Sequence, residues 1–208
     1  MGEPVLIYGK SGSGKSRSLK DFAEDEILFV NVISKRLPFQ KNFTYSMKSR
    51  GYAKIKSQLL KMPCKVAVID DAGYLQTSTF MSGHSAPKKG GNTFDLFNQI
   101  GDELWDFILF IKEELPEDVI VYFLMHEITN SDLGEVKVRT IGKLIDEKVC
   151  LEGMFTICLR CMTSGDRHYF KTQGGANDIA KSPEGMFELE IENDLKTVDT
   201  RIREFWNL

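Results

Sequence analysis

Acidic residues are missing from one long stretch of this 208-residue chain. Between Ile27 and Ile69 there is no Asp or Glu, although nine basic residues fall there: Lys35, Arg36, Lys41, Lys48, Arg50, Lys54, Lys56, Lys61 and Lys65. From Asp95 to Asp118 the sign reverses, and eight acids face Lys112 alone. The formal net charge of -3 excludes binding of nucleic acid through overall basicity, so any such binding must be local. Cysteine is also scarce. Its four copies (Cys64, Cys150, Cys158, Cys161) are spread through apolar or strand-like stretches, which excludes a secreted disulfide framework. Cys158 and Cys161 have metal-ligand spacing, but i and i+3 on a strand point to opposite faces, and no second C-x-x-C exists to complete a zinc site. No apolar run approaches the length that spans a bilayer, and no signal-peptide pattern opens the chain. The expectation is a cytoplasmic protein with no membrane partner.

What is present is the composition of a soluble globular chain, 42% hydrophobic and 27% charged, at a length that suits a single domain over residues 1–208. Apolar runs at Val5–Tyr8, Ile27–Val32, Lys65–Asp70 and Val119–Met125 read as buried strands. Helical periodicity marks Lys15 to about Phe22, Tyr52–Met62, Asn92 or Thr93 to about Leu115, and Thr197–Trp206. Met154–Met162 and His168–Lys171 read as a strand pair around a Thr163–Asp166 turn, and Gln76–Gly91 as a long polar loop. Apolar strands alternating with helices predict an α/β fold: a mainly parallel sheet with helices on both faces and a C-terminal strand pair.

The sharpest motif is Gly9-Lys10-Ser11-Gly12-Ser13-Gly14-Lys15-Ser16, a full match to G-x-x-x-x-G-K-[ST], with Arg17 next in line. It follows a predicted strand and opens a predicted helix, the context that a phosphate-cradling loop requires. Glycines let backbone N–H groups approach phosphate oxygens, Lys15 supplies a cation to the β- and γ-phosphates, and Ser16 supplies a hydroxyl to Mg²⁺. The predicted ligands are a nucleoside triphosphate and Mg²⁺.

Such a site needs an acid at the end of a buried strand, and Lys65–Asp71 supplies two. Asp70 is the predicted Mg²⁺ partner beside Ser16, and Asp71 is either the residue that orients an attacking water or a solvated loop acid or helix cap. The strand Val119–Met125 runs into His126 and Glu127, a candidate γ-phosphate sensor and an alternative base. A GTPase reading has Asp70–Gly73 as D-x-x-G and a half match at Thr129–Asp132, but the guanine-reading lysine is missing and the tetrad falls beyond the predicted strand end. A nucleotide or nucleoside kinase would need lid arginines, for which Arg139 and Arg160 are the candidates without a compact R-x-x-R pattern. A third reading is an ATP-gated interaction module.

The acid-free segment carries Phe39, Phe43, Tyr45 and Tyr52 among its lysines, the mixture suited to single-stranded DNA. A solvated basic face, or an interface with the acidic helix of a neighbouring subunit, explains it equally. Two predicted loops, Gln76–Gly91 with Lys88 and Lys89, and Glu127–Lys148 with Lys137, Arg139, Lys143 and Lys148, leave the nucleotide side of the sheet.

The stretches VNVISKRLPFQKNF, VYFLMHE, KVRTIGKLIDEKVCLEGMFTICLR, AKSPEGMFE and ENDL are similar to those of the phage-encoded RecA-core ATPases, the family that includes Sak-type single-strand annealing proteins. The resemblance covers nearly the whole chain and is most distinctive from Thr140 to Arg160. It implies that the nucleotide is ATP and that the chain is a RecA-like P-loop ATPase that binds single-stranded DNA in phage recombination or replication, as a homo-oligomer, beside a single-strand binding protein. By that resemblance Lys15, Ser16 and Asp70 carry the nucleotide site, and Arg139, Lys143 or Arg160 acts on a neighbour's γ-phosphate. Bacterial recombinases of this kind carry a catalytic acid at the end of the second strand, where this chain has Asn31-Val32. Slow turnover is the corresponding expectation.

Overall fold

A computed structural model describes residues 1–85, 93–130, 134–142, 145 and 148–208. Among the described residues the chain forms nine strands and four α-helices. The strands are β1 (Glu3–Gly9), β2 (Ile27–Asn31), β3 (Tyr45–Lys48), β4 (Val66–Asp70), β5 (Ile120–Thr129), β6 (Val136–Val138), β7 (Ile157–Ser164), β8 (Arg167–Lys171) and β9 (Glu190–Glu192). The helices are α1 (Tyr52–Leu59), α2 (Gly73–Gly83), α3 (Thr93–Glu114) and α4 (Leu195–Trp206). The strands make one sheet in the order β3-β2-β4-β5-β1-β7-β8-β9, with β6 folded back on the far end of β5. From β3 to β7 every neighbouring pair is parallel, and β8 and β9 continue the sheet antiparallel.

The apolar runs predicted as strands are strands because both of their faces are covered. On one face Leu6, Tyr8, Leu28, Ala67, Ile69, Val121 and Phe123 pack against Ile55 of α1 and Leu104, Phe107 and Ile111 of α3. On the other, Val5, Ile7, Phe29, Val68, Tyr122 and Leu124 pack against Leu19, Phe22 and α4 residues Leu195, Val198 and Ile202. Period-two alternation divides the same strands between the two layers. A buried polar staple locks α4 in place: Tyr122 Oη donates to Asp199 at 3.0 Å, and Arg203 pairs with Asp199 at 2.8 Å while donating to the Asp118 and Lys65 carbonyls. The acid-rich α3 lies beside the basic α1 of its own chain, with Lys56 over the Phe110 ring.

Several predicted elements differ. The helix expected over Lys15–Phe22 is a single 3-10 turn, Ser16–Leu19. β2 restarts at Ile27, and a helix rises only about 1.5 Å per residue, so a longer helix could not carry the chain back along the sheet in so few residues. The predicted loop Gln76–Gly91 is helical in its first part. Thr77, Ser78, Thr79 and Ser82 hydroxyls donate to carbonyls one turn back, while Leu75 and Gln76 are buried. The remaining residues of that stretch from 86 onward, including Lys88 and Lys89, lie outside the described residues, as do Asn92, Ser131, Asp132 and Lys143. β5 runs four residues past Met125 to Thr129 and turns back as β6, so Glu127–Thr129 is a hairpin arm and no open loop. β3 and β9 carry no apolar run; edge pairing decides them. α4 begins two residues earlier than its periodicity predicts because Asp194 caps it, accepting from Lys196 and Thr197 N–H. Among the described residues no helix is long and apolar enough to cross a membrane.

Candidate functional site

The chain leaves β1 at Gly9 directly into the phosphate-loop motif, which sits against β7 and β8. A Cβ on Gly9 would lie 2.4 Å from the Cys161 carbonyl oxygen, and one on Gly14 (φ +106°) would lie 2.7 Å from His168 Nδ1. These contacts explain why the wrap needs glycine at those two positions. The loop is held from outside: His168 Nδ1 lies 2.8 Å and Cys161 Sγ 3.1 Å from the Ser13 carbonyl oxygen, and Asn193 lies against Cys161. Arg17 reaches Asn193 at 3.3 Å, while Lys10, Ser11 and Gly12 are exposed at the loop crest. Among the described residues Ser13 N–H donates within the loop, to Lys10 O at 3.2 Å, and the N–H groups of Gly12, Gly14, Lys15 and Ser16 make no such bond. Unpartnered donors around a glycine-lined cradle are the donor set that an anion fits.

The buried Lys15 ammonium donates to the Gly9 and Lys10 carbonyls at 2.9 and 2.8 Å, and burial lowers its pKa. Ser16 Oγ donates to Asp70 Oδ1 at 2.8 Å, joining the two halves of the predicted Mg²⁺ site across 54 residues of sequence. Burial first, and the neighbouring Asp71 charge second, push the Asp70 carboxyl up to about 6. A carboxylate disfavoured in this way is the partner that a divalent cation relieves. No group of three or more His, Cys, Asp or Glu gathers among the described residues, so an ion here would complete its shell with phosphate oxygens and water.

Asp71 is not a solvated loop acid. It is buried, and its backbone is left-handed at φ +62°, a strained setting for a residue other than glycine. His126 Nε2 lies 3.2 Å from Asp71 Oδ1, and Lys35 Nζ lies 2.5 Å from Oδ2. Burial alone would raise this carboxyl; His126 and Lys35 outweigh it and hold the group below the usual range. His126 Nδ1 faces Lys15 Nζ at 3.5 Å, so the tautomer that satisfies both neighbours carries its proton on Nε2. The Tyr74 ring meets His126 edge-on, 6.1 Å between centroids.

β5 lies between the loop strand β1 and the acid strand β4, and for that reason His126 reaches both Lys15 and Asp71. Glu127, one residue on, points to the opposite face. There it accepts two hydrogen bonds of 2.8 Å from Arg160, whose Nη1 also donates to Asp178 at 3.0 Å. Lys171 and Tyr8 complete the network on Asp178, whose carboxyl goes down to about 2 because these donors outweigh its burial. Glu127 and Arg160 thus stand apart from the phosphate-loop cluster and engage each other. Arg139 is exposed, with no side-chain partner among the described residues. Cys158 and Cys161 lie in opposite core layers.

The basic segment is more core than its composition implied. Phe43 packs on Phe29 and Tyr52 on Phe107, both buried, while Phe39 and Tyr45 are half-buried against the two layers. Lys41 donates to the Lys20 and Phe22 carbonyls. A groove of about 1170 Å³ runs along β2 and β3, with Lys35, Arg36, Lys41 and Lys48 on its walls and Glu24 as its acid.

Composition could not single out Lys35, His168 or Asn193. Lys35 is one of nine basic residues until the β2–β4 register sets Asn31 beside Asp70. Comparison with protein-family models and with curated proteins gave no match. The fold that stands is α/β with a mostly parallel sheet, carrying a phosphate-loop motif over a buried acid pair.

Proposed function

We propose that the protein is a RecA-like P-loop ATPase that binds Mg·ATP and acts on single-stranded DNA in phage recombination or replication, as a homo-oligomer. The carrying observation is that Lys15, Ser16, Asp70, Asp71 and His126 converge from three strand ends onto one cluster, with β5 set between the two motif strands. In this reading the loop N–H groups and Lys15 grip the phosphates, and Ser16 with Asp70 holds Mg²⁺. His126 senses the γ-phosphate between Lys15 and Asp71. Asp71, already oriented by two partners, accepts the proton of the attacking water. Arg139, exposed, is the residue offered to a neighbour's γ-phosphate. A kinase lid finds less support, because Arg160 is bound to Glu127 and Asp178.

An ATP-gated interaction module without DNA binding is the second reading, favoured by the burial of Phe43 and Tyr52. Steady-state ATP hydrolysis with and without oligothymidylate separates the two. Stimulation supports the DNA reading; hydrolysis indifferent to oligothymidylate, with no shift in its fluorescence anisotropy, supports the interaction module. Calorimetry of Mg·ATP with Lys15→Ala tests the site itself, and unchanged binding would overturn it.

A further inference from the structure

Asp71 makes a poor proton acceptor as it stands, because His126 lies against Oδ1 and the Lys35 ammonium forms an ion pair with the buried Oδ2, which has no hydrogen-bond partner among the described residues. The Lys35 contact is built from the backbone outward. Asn31, at the end of β2 and in register with Asp70, clamps the next turn with its side-chain amide: Nδ2 donates to the Lys35 carbonyl at 2.6 Å, and Lys35 N–H donates to Oδ1 at 3.1 Å. The clamped turn passes through Ser34 at φ +59°. Among the described residues three non-glycine positions have positive φ, and two of them, Ser34 and Asp71, flank this ion pair. Backbone strain at such residues persists only where surrounding structure holds it. Lys35 is also half exposed and lies on the wall of the groove that carries Arg36 and Lys48. One ammonium thus touches the candidate base and lines the basic groove.

We propose that Lys35 is a positioning residue that masks Asp71, and that a phosphodiester strand in the groove withdraws it. A phosphate drawn in by Arg36 and Lys48 competes with Asp71 for the Lys35 ammonium. Freed, Asp71 Oδ2 takes a proton from water as the water oxygen bonds to the γ-phosphorus. The bond from that phosphorus to the β,γ-bridging oxygen breaks, its electron pair leaves with ADP, and the proton passes from Asp71 to solvent. Asn31 holds the mask through its two hydrogen bonds to the Lys35 backbone.

This rests on the hydrolase reading above and is tested with the full chain, Mg·ATP and oligothymidylate. Lys35→Met should raise basal kcat by about tenfold, part of the roughly 10²–10⁴-fold that a positioned base contributes, with little change in KM. It should also abolish further stimulation by oligothymidylate. Lys35→Arg should restore native behaviour, and Asn31→Ala should shift the basal rate in the same direction as Lys35→Met. If Lys35→Met lowers or leaves kcat, or if stimulation survives it, the mask is refuted. A native chain that binds Mg·ATP without turnover still decides the matter: hydrolysis gained by Lys35→Met supports the proposal, and continued inactivity overturns it. Failure of the hydrolase reading is recognised separately, by Mg·ATP binding that Lys15→Ala leaves unchanged.

Discussion

Replacing Asp70 by Asn should make the metal-free protein more stable at neutral pH. Asp70 is 5% exposed, and its carboxyl titrates near about 6 rather than 3.8. Between those values the folded chain holds a proton that the unfolded chain has released, so stability falls as pH rises through the window. A shift of about two units is worth roughly 3 kcal/mol, fully expressed above about pH 6.5 and nearly absent below about pH 3.5. Asp70→Asn removes this penalty while still accepting the Ser16 hydroxyl. In a chain of this size the gain is about 5–10 °C in Tm at pH 7.5 in EDTA, shrinking to under a few degrees near pH 4. Urea or thermal unfolding of both proteins across that range measures it. With Mg·ATP present at about 1,000 Kd the order should reverse, because ligand at that level adds about 4.1 kcal/mol to the native form alone. A variant that is less stable at pH 7.5, or a gap independent of pH, would refute the assignment of Asp70 as a desolvated acid awaiting a cation.

Lys15→Ala should abolish Mg·ATP binding by calorimetry, because the ammonium is the buried cation of the cradle. Gly14→Ala should destabilise the chain by about 2–4 kcal/mol in urea, since φ +106° is unfavourable for alanine and its Cβ would meet His168 at 2.7 Å. A loss under about 0.5 kcal/mol would contradict that packing. Arg160→Met leaves the buried Glu127 carboxylate without its two hydrogen bonds and removes one of three side-chain donors from Asp178, and should lose about 3–5 kcal/mol. Mg·ATP affinity should stay native in that variant, because the network lies on the other side of the sheet from His126; a parallel loss of binding would return Glu127 to the site.

Legibility in the sequence followed how local each signal was. The phosphate loop and the four buried strands were readable because eight motif residues and short apolar runs carry their own physics. The two acids were found as candidates, and period-two alternation alone could have separated His126 from Glu127 once β5 was extended past Met125. α2 was unreadable because its hydroxyls satisfy themselves against the helix backbone, which composition registers as a loop. The basic segment misled in a different way: Phe43 and Tyr52 look like stacking rings in sequence but fill core in space.

Taken alone, the sequence determined a G-x-x-x-x-G-K-[ST] motif at the end of one apolar strand, an acid pair at the end of another, and a mainly parallel sheet. Each of these is a property of neighbours in the chain. Tertiary structure decided which side chains meet: Ser16 with Asp70, His126 between Lys15 and Asp71, and Lys35 on Asp71. Strand order and register set those meetings across 36 to 111 residues, and no periodicity within a single strand encodes which strand will lie beside it.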